Sequence, residues 1–131
     1  MKGFAAPVAT ILLLDSEPLM LSVVREVLED AGYLVLPAAD LGQAVDRLSE
    51  MRPDLLITRP YINSMPGRMA ADYLRSKRPG LPVLIVAGNV DDERLVNTNA
   101  VAQFHTFPKP FPPQELVEKV REVLESTRKK T

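Results

Sequence analysis

Two small sets of charged residues stand directly after apolar runs, and they carry what chemistry this chain can do. The first is Asp15-Ser16-Glu17, between the run Ile11–Leu14 and Pro18. Neighbouring carboxylates suit a hard divalent cation, a cationic side chain or the N-terminus of a helix. The second set is a pair of cations, Arg59 after Leu55–Thr58 and Lys109 shortly after Phe104–Phe107. Arginine offers a planar fork to carboxylates or phosphates, and lysine a point charge. The chain holds no cysteine and one histidine, His105. Disulfides, thiolate catalysis, cysteine-ligated metal centres and histidine-cluster metal sites are therefore excluded. No glycine-rich nucleotide loop is present, and no nucleophile–base set or paired acid–base set is evident. The expectation is a protein that is not an enzyme.

These residues need a scaffold that brings distant strand ends together. The chain has 131 residues, 46% hydrophobic and 25% charged, which suits one soluble domain. Its net charge of −1 gives no electrostatic footprint for nucleic acid. The run VATILLL is too short to span a bilayer and ends in Asp-Ser-Glu-Pro, not in a cleavage site. No membrane association is expected, and the location expected is cytoplasmic.

Five apolar runs read as strands: Val8–Leu14, Tyr33–Leu36, Leu55–Thr58, Val83–Val86 and Phe104–Phe107. Continuous apolar runs suit strands covered on both faces, as in parallel sheets. Helical spacing lies between them. Met20, Val23, Val24, Val27, Leu28 and Ala31 share one face, with Pro18 at the start and Gly32 at the stop. Leu41, Ala44, Val45 and Leu48 share another, with Asp40 and Gln43 placed as a capping box. A third helix holds Ala70, Tyr73 and Leu74, and a fourth, Asp91–Ala100, has only Leu95 and Val96 as large apolar residues. A fifth holds Leu116, Val117, Val120, Val123 and Leu124. Alternation of this kind gives an α/β fold, a doubly wound parallel sheet of five βα units. Its site lies outside the C-terminal ends of the strands, where Asp15, Arg59, Ala87 and Lys109 fall.

The segments ILLLDSEP (11–18), EDAGYLVLPAADLGQAV (29–45), RPDLL (52–56), LPVLIVAG (81–88) and FPKPFPPQEL (107–116) occur in order at family spacing. Through them the chain resembles the receiver domain of two-component response regulators, from about Thr10 to Leu124. The resemblance implies a flavodoxin-like sheet of strand order 2-1-3-4-5. It divides the chain into an extension (1–7), a receiver domain (8–126) and a disordered tail or linker start (127–131). It also implies four chemical parts: acids after the first strand that hold Mg²⁺, a phosphoacceptor aspartate ending the third, a hydroxyl ending the fourth and a lysine after the fifth. An aromatic residue on the fifth strand reports the change. The partners it implies are a sensor histidine kinase or an output protein. A homodimer through the face of the fourth helix, fifth strand and fifth helix is a further option.

Matched residue by residue, the acidic pocket is Asp15, Ser16 and Glu17, with Ser16 where an acid is common. The phosphoacceptor position holds Arg59, and Gly67 eight residues on supports that register. The hydroxyl position holds Ala87, the aromatic switch position Thr106, and the lysine is Lys109. An aspartyl phosphate needs a carboxylate nucleophile, and a guanidinium is a permanent cation. The expectation is a degenerate, phosphorylation-independent receiver with Mg²⁺ binding lost and no cofactor. Arg59 would pair with Asp15, Glu17 or both in place of the ion. Other readings stay open. Asp15 and Glu17 as helix caps, Arg59 as a solvated loop residue and Lys109 as a remnant of the fold are three. Arg59 and Lys109 holding a small anion is another. The last is a phosphate-accepting receiver with an unusual acceptor, Asp54 being the nearby acid.

Overall fold

A computed structural model describes residues 7–87, 103–106 and 113–129. The order is β1 (Thr10–Leu14), α1 (Pro18–Asp30), β2 (Leu34–Ala38), α2 (Leu41–Glu50) and β3 (Leu55–Thr58). A small hairpin follows, β4 (Tyr61–Ile62) and β5 (Met65–Pro66), then α3 (Gly67–Lys77), β6 (Val83–Ala87), β7 (Gln103–Thr106) and α4 (Pro113–Lys129). Five strands form one sheet in the order β2-β1-β3-β6-β7, every pair parallel. Counting only these parallel strands, the order is the expected 2-1-3-4-5.

Alternation along each strand divides the core into two layers. Ile11 and Leu13 of β1 face α1 and α4, meeting Val24, Leu28, Leu116 and Val120. Leu12 and Leu14 face α2 and α3, meeting Ala44, Leu48, Ala70 and Leu74. Both faces of β1 are therefore covered, which is why its sequence is a continuous apolar run. Each fully buried leucine or isoleucine contributes up to about 3 kcal/mol through loss of apolar surface from water.

The helices start and stop for local reasons. Pro18 occupies the first turn of α1, where a missing N–H costs nothing. Gly32 takes φ +99° just beyond α1, a conformation open to glycine. At α2, Asp40 Oδ1 accepts from the Gln43 N–H at 2.8 Å, and Gln43 Oε1 accepts from the Ala39 N–H at 2.8 Å. The expected box therefore closes one residue earlier than the standard pattern, on Ala39 instead of Asp40.

Several boundaries and faces differ from expectation. Strand β2 runs through Pro37 to Ala38, because an edge strand has a side on which a missing N–H is harmless. Val23 is 42% exposed and Tyr73 47% exposed, so neither joins the core; Ala71 is buried in the third helix instead. The last helix continues past Ser126 to Lys129. The expected fourth helix, Asp91–Ala100, lies outside the described residues, as do Lys109 and Phe107.

Candidate functional site at the C-terminal edge of the sheet

Parallel register fixes which residues meet. Leu14 of β1 pairs with Thr58 of β3, so Asp15 and Arg59 leave the sheet side by side. Thr58 pairs with Ile85 of β6, and Ala87 pairs with Thr106 at the end of β7. Asp15, Arg59, Ala87 and Thr106 thus stand along one edge, the C-terminal one. Lys109 cannot be added to this set, because it is outside the described residues.

Asp15 is buried, with 3% exposure. Its backbone N–H donates to the Ala38 carbonyl at 3.0 Å, and its Oδ1 accepts from the Glu17 N–H at 2.9 Å. Burial pushes its carboxyl above the usual carboxylate range. The Glu17 N–H and the charge of Arg59 oppose that rise, while the Glu17 carboxylate adds to it. Ser16 is half-buried and Glu17 exposed. Glu17 is the N-cap residue of α1, yet its side chain makes no capping hydrogen bond. Its carbonyl accepts from the Leu21 N–H at 2.9 Å.

Arg59 is half-buried. Among the described residues it makes no carboxylate contact of ion-pair length, so the expected fork onto Asp15 or Glu17 is not formed. Its charge reaches Asp15 at longer range. The backbone beneath it is held from two sides. Thr58 Oγ1 donates to the Arg59 carbonyl at 3.2 Å, and the Gly67 N–H donates to the Pro60 carbonyl at 2.6 Å. A Cβ at position 67 would lie 1.9 Å from the Arg59 oxygen, so only glycine fits there. That close approach is the physical basis of the spacing between Arg59 and Gly67.

Asp54 has a different place. It precedes β3, at the opposite end of the strand from Arg59. Its N–H donates to the Thr10 carbonyl at 2.7 Å, and its Oδ2 accepts from the Thr10 N–H at 2.8 Å. Its carboxylate fastens the start of β1 to the start of β3.

Thr58 is the residue that sequence reasoning missed. It is 1% exposed and lines a cavity of about 20 Å³ together with Asp15, Arg59 and apolar residues that include Met20, Val24 and Leu116. That space suits about one water. The available signal was a hydroxyl at the last position of an otherwise apolar strand. The β4–β5 hairpin was also missed; its turn passes through Asn63 at φ +57°, a conformation that asparagine tolerates.

A parallel sheet of this order with helices between its strands defines a doubly wound, flavodoxin-like fold. The chain belongs to the response regulator receiver domain family, whose model matches residues 11–121. It is similar to the probable transcriptional regulatory protein TcrX of Mycobacterium tuberculosis, 30% identical over 119 residues, covering 90% of this chain and 50% of that protein. It is also similar to the sensor kinase CckA of Brucella abortus, 29% identical over 119 residues, covering 89% of this chain and 13% of that protein. Among solved structures, a CheY-like receiver domain protein from Methanospirillum hungatei aligns with TM-score 0.79 at 26% identity, covering 94% of this chain and 98% of that one. The chain spans half the length of TcrX and a smaller share of CckA. No helix among the described residues is long and apolar enough to cross a membrane.

The family resemblance implies Mg²⁺ in this crevice, and the residues present do not fit it. Magnesium asks for several oxygen ligands in near-octahedral array, carboxylates foremost. Among the described residues no three His, Cys, Asp or Glu side chains converge. The charge that reaches Asp15 from the neighbouring strand end is positive.

Proposed function

We propose that this receiver domain works without phosphorylation, as a protein-interaction module in two-component signalling. Its partner is a sensor histidine kinase or an output protein. The observation that carries the reading is the register of β3. Arg59 follows the strand at the crevice end, and the nearby acid, Asp54, is engaged with Thr10 at the other. A guanidinium has no carboxylate oxygen with which to form an acyl phosphate. Ala87 likewise offers no hydroxyl at the end of β6, and Thr106 no aromatic ring at the end of β7. Both the acceptor and the readout of the usual switch are therefore substituted in this reading.

The test is intact mass after incubation with acetyl phosphate and Mg²⁺, for the native chain and for Arg59→Asp. The expected result is no mass gain for the native chain. A gain in the variant alone identifies Arg59 as the main block. A hydroxylamine-labile phosphoryl group on the native chain overturns the proposal.

A further inference from the structure

We infer that Arg59 is the resident counter-ion of the crevice, filling the electrostatic role that a divalent cation would fill beside these acids, so that the native domain is indifferent to Mg²⁺. The inference shares with the proposed function the placement of Arg59. It goes further by naming what the acids of the crevice act upon.

Three observations support it. Position 59 is fixed by its backbone. Thr58 Oγ1 holds the Arg59 carbonyl at 3.2 Å, and Gly67 packs where a Cβ would come within 1.9 Å of that oxygen. The register with β1 then sets the residue beside Asp15. Second, Asp15 is 3% exposed, and among the described residues the hydrogen-bond donor to its carboxylate is the Glu17 N–H. A carboxylate removed from water needs an opposite charge nearby. Third, the Glu17 side chain is not used in capping α1, and its charge adds to that of Asp15 at the crevice.

The charges balance. Asp15, Glu17 and Arg59 together leave one negative charge. An aspartate at position 59 would make three carboxylates, and a divalent cation would return that set to the same single negative charge. One substitution therefore exchanges an internal cation for an external one without changing the net charge around the cavity.

The test is Mn²⁺ titration, by calorimetry or paramagnetic relaxation, of the full unphosphorylated chain without phosphodonor. The expected result is binding to Arg59→Asp at least roughly a hundredfold tighter than to the native chain, as two units of charge at close range require. Arg59→Lys, which keeps the charge, should bind as weakly as the native chain. Asp15→Asn in the Arg59→Asp background should abolish the gain. Should Arg59→Asp fail to fold, Arg59→Met removes the charge at similar volume, and it should bind Mn²⁺ more tightly than the native chain does. Native binding as tight as that of the charge-removed variants overturns the inference. So does a folded Arg59→Asp that binds no ion. Mn²⁺ binding by a native chain that still accepts no phosphoryl group would overturn this inference alone. Phosphoryl uptake by a native chain indifferent to Mn²⁺ would overturn the proposed function alone.

Discussion

The turns that lead from β1 into α1 and from β2 into α2 both place acids where a helix begins, and they use them differently. At α2 the carboxylate of Asp40 accepts the Gln43 N–H and Gln43 answers through Ala39, so both polar side chains are consumed by the helix they start. At α1 the N-cap residue Glu17 caps nothing with its side chain. Asp15 is buried and, among the described residues, takes only the Glu17 N–H. A carboxylate at a helix start normally gains from exposed N–H groups and the helix dipole. At α1 that gain is left partly unused, and a carboxyl is buried at some cost. The same contrast runs along β3, whose start is fastened by Asp54 and whose end presents Arg59 to the crevice.

The comparison breaks if the two turns respond alike to loss of their acids. Asp40→Ala should show the largest effect, a destabilisation of about 1 kcal/mol in urea melts, because the Gln43 N–H loses its partner. Asp15→Asn should act in the opposite direction and raise the melting temperature at neutral pH. Its amide oxygen can still accept the Glu17 N–H, while the buried charge is gone. The sign follows from the raised carboxyl of Asp15. The folded state favours the protonated form, so native stability falls as pH rises from the usual carboxylate range through the raised value. The advantage of Asp15→Asn should accordingly be full at neutral pH and vanish in acid below the usual range; melts across pH check this. A destabilised Asp15→Asn at neutral pH would make Asp15 a structural acid like Asp40. Glu17→Gln should have the smallest effect, within about 0.5 kcal/mol, since its exposed side chain makes no cap.

Much of the scaffold was legible because its signals are local and repeated. The apolar runs ending at Leu14 and Thr58 end there in the structure, since the next residues, Asp15 and Arg59, are charged and leave the sheet. Alternating βα order pointed to a doubly wound parallel sheet, and the resemblance to the receiver family implied the strand order that the sheet shows. The cap at Asp40 was visible from its partner three residues on. Other features were hidden. Pro37 reads as a strand breaker until the strand is known to be an edge. Tyr73 has helical spacing with Ala70 and Leu74 but turns outward, where Lys77 Nζ lies 5.2 Å from its ring centre. At the site, residue types were readable and distances were not. Arg59 was expected to grip a carboxylate directly, whereas its charge acts on Asp15 across a longer gap. Side-chain reach on that scale depends on how Thr58 and Gly67 hold the backbone, and strand spacing does not encode it.

Amide hydrogen exchange gives the central strand a further meaning. The residues of β3 are all buried and lie between β1 and β6, so their N–H groups meet water only when the whole domain unfolds. The hairpin β4–β5 stands outside that sheet with two residues per strand, and it can open alone. Arg59 lies on the boundary, one step past the fully buried β3 and separated by Pro60 from the β4–β5 hairpin. The charge of the crevice is thus carried where a strand expected to exchange slowly gives way to a hairpin expected to exchange fast.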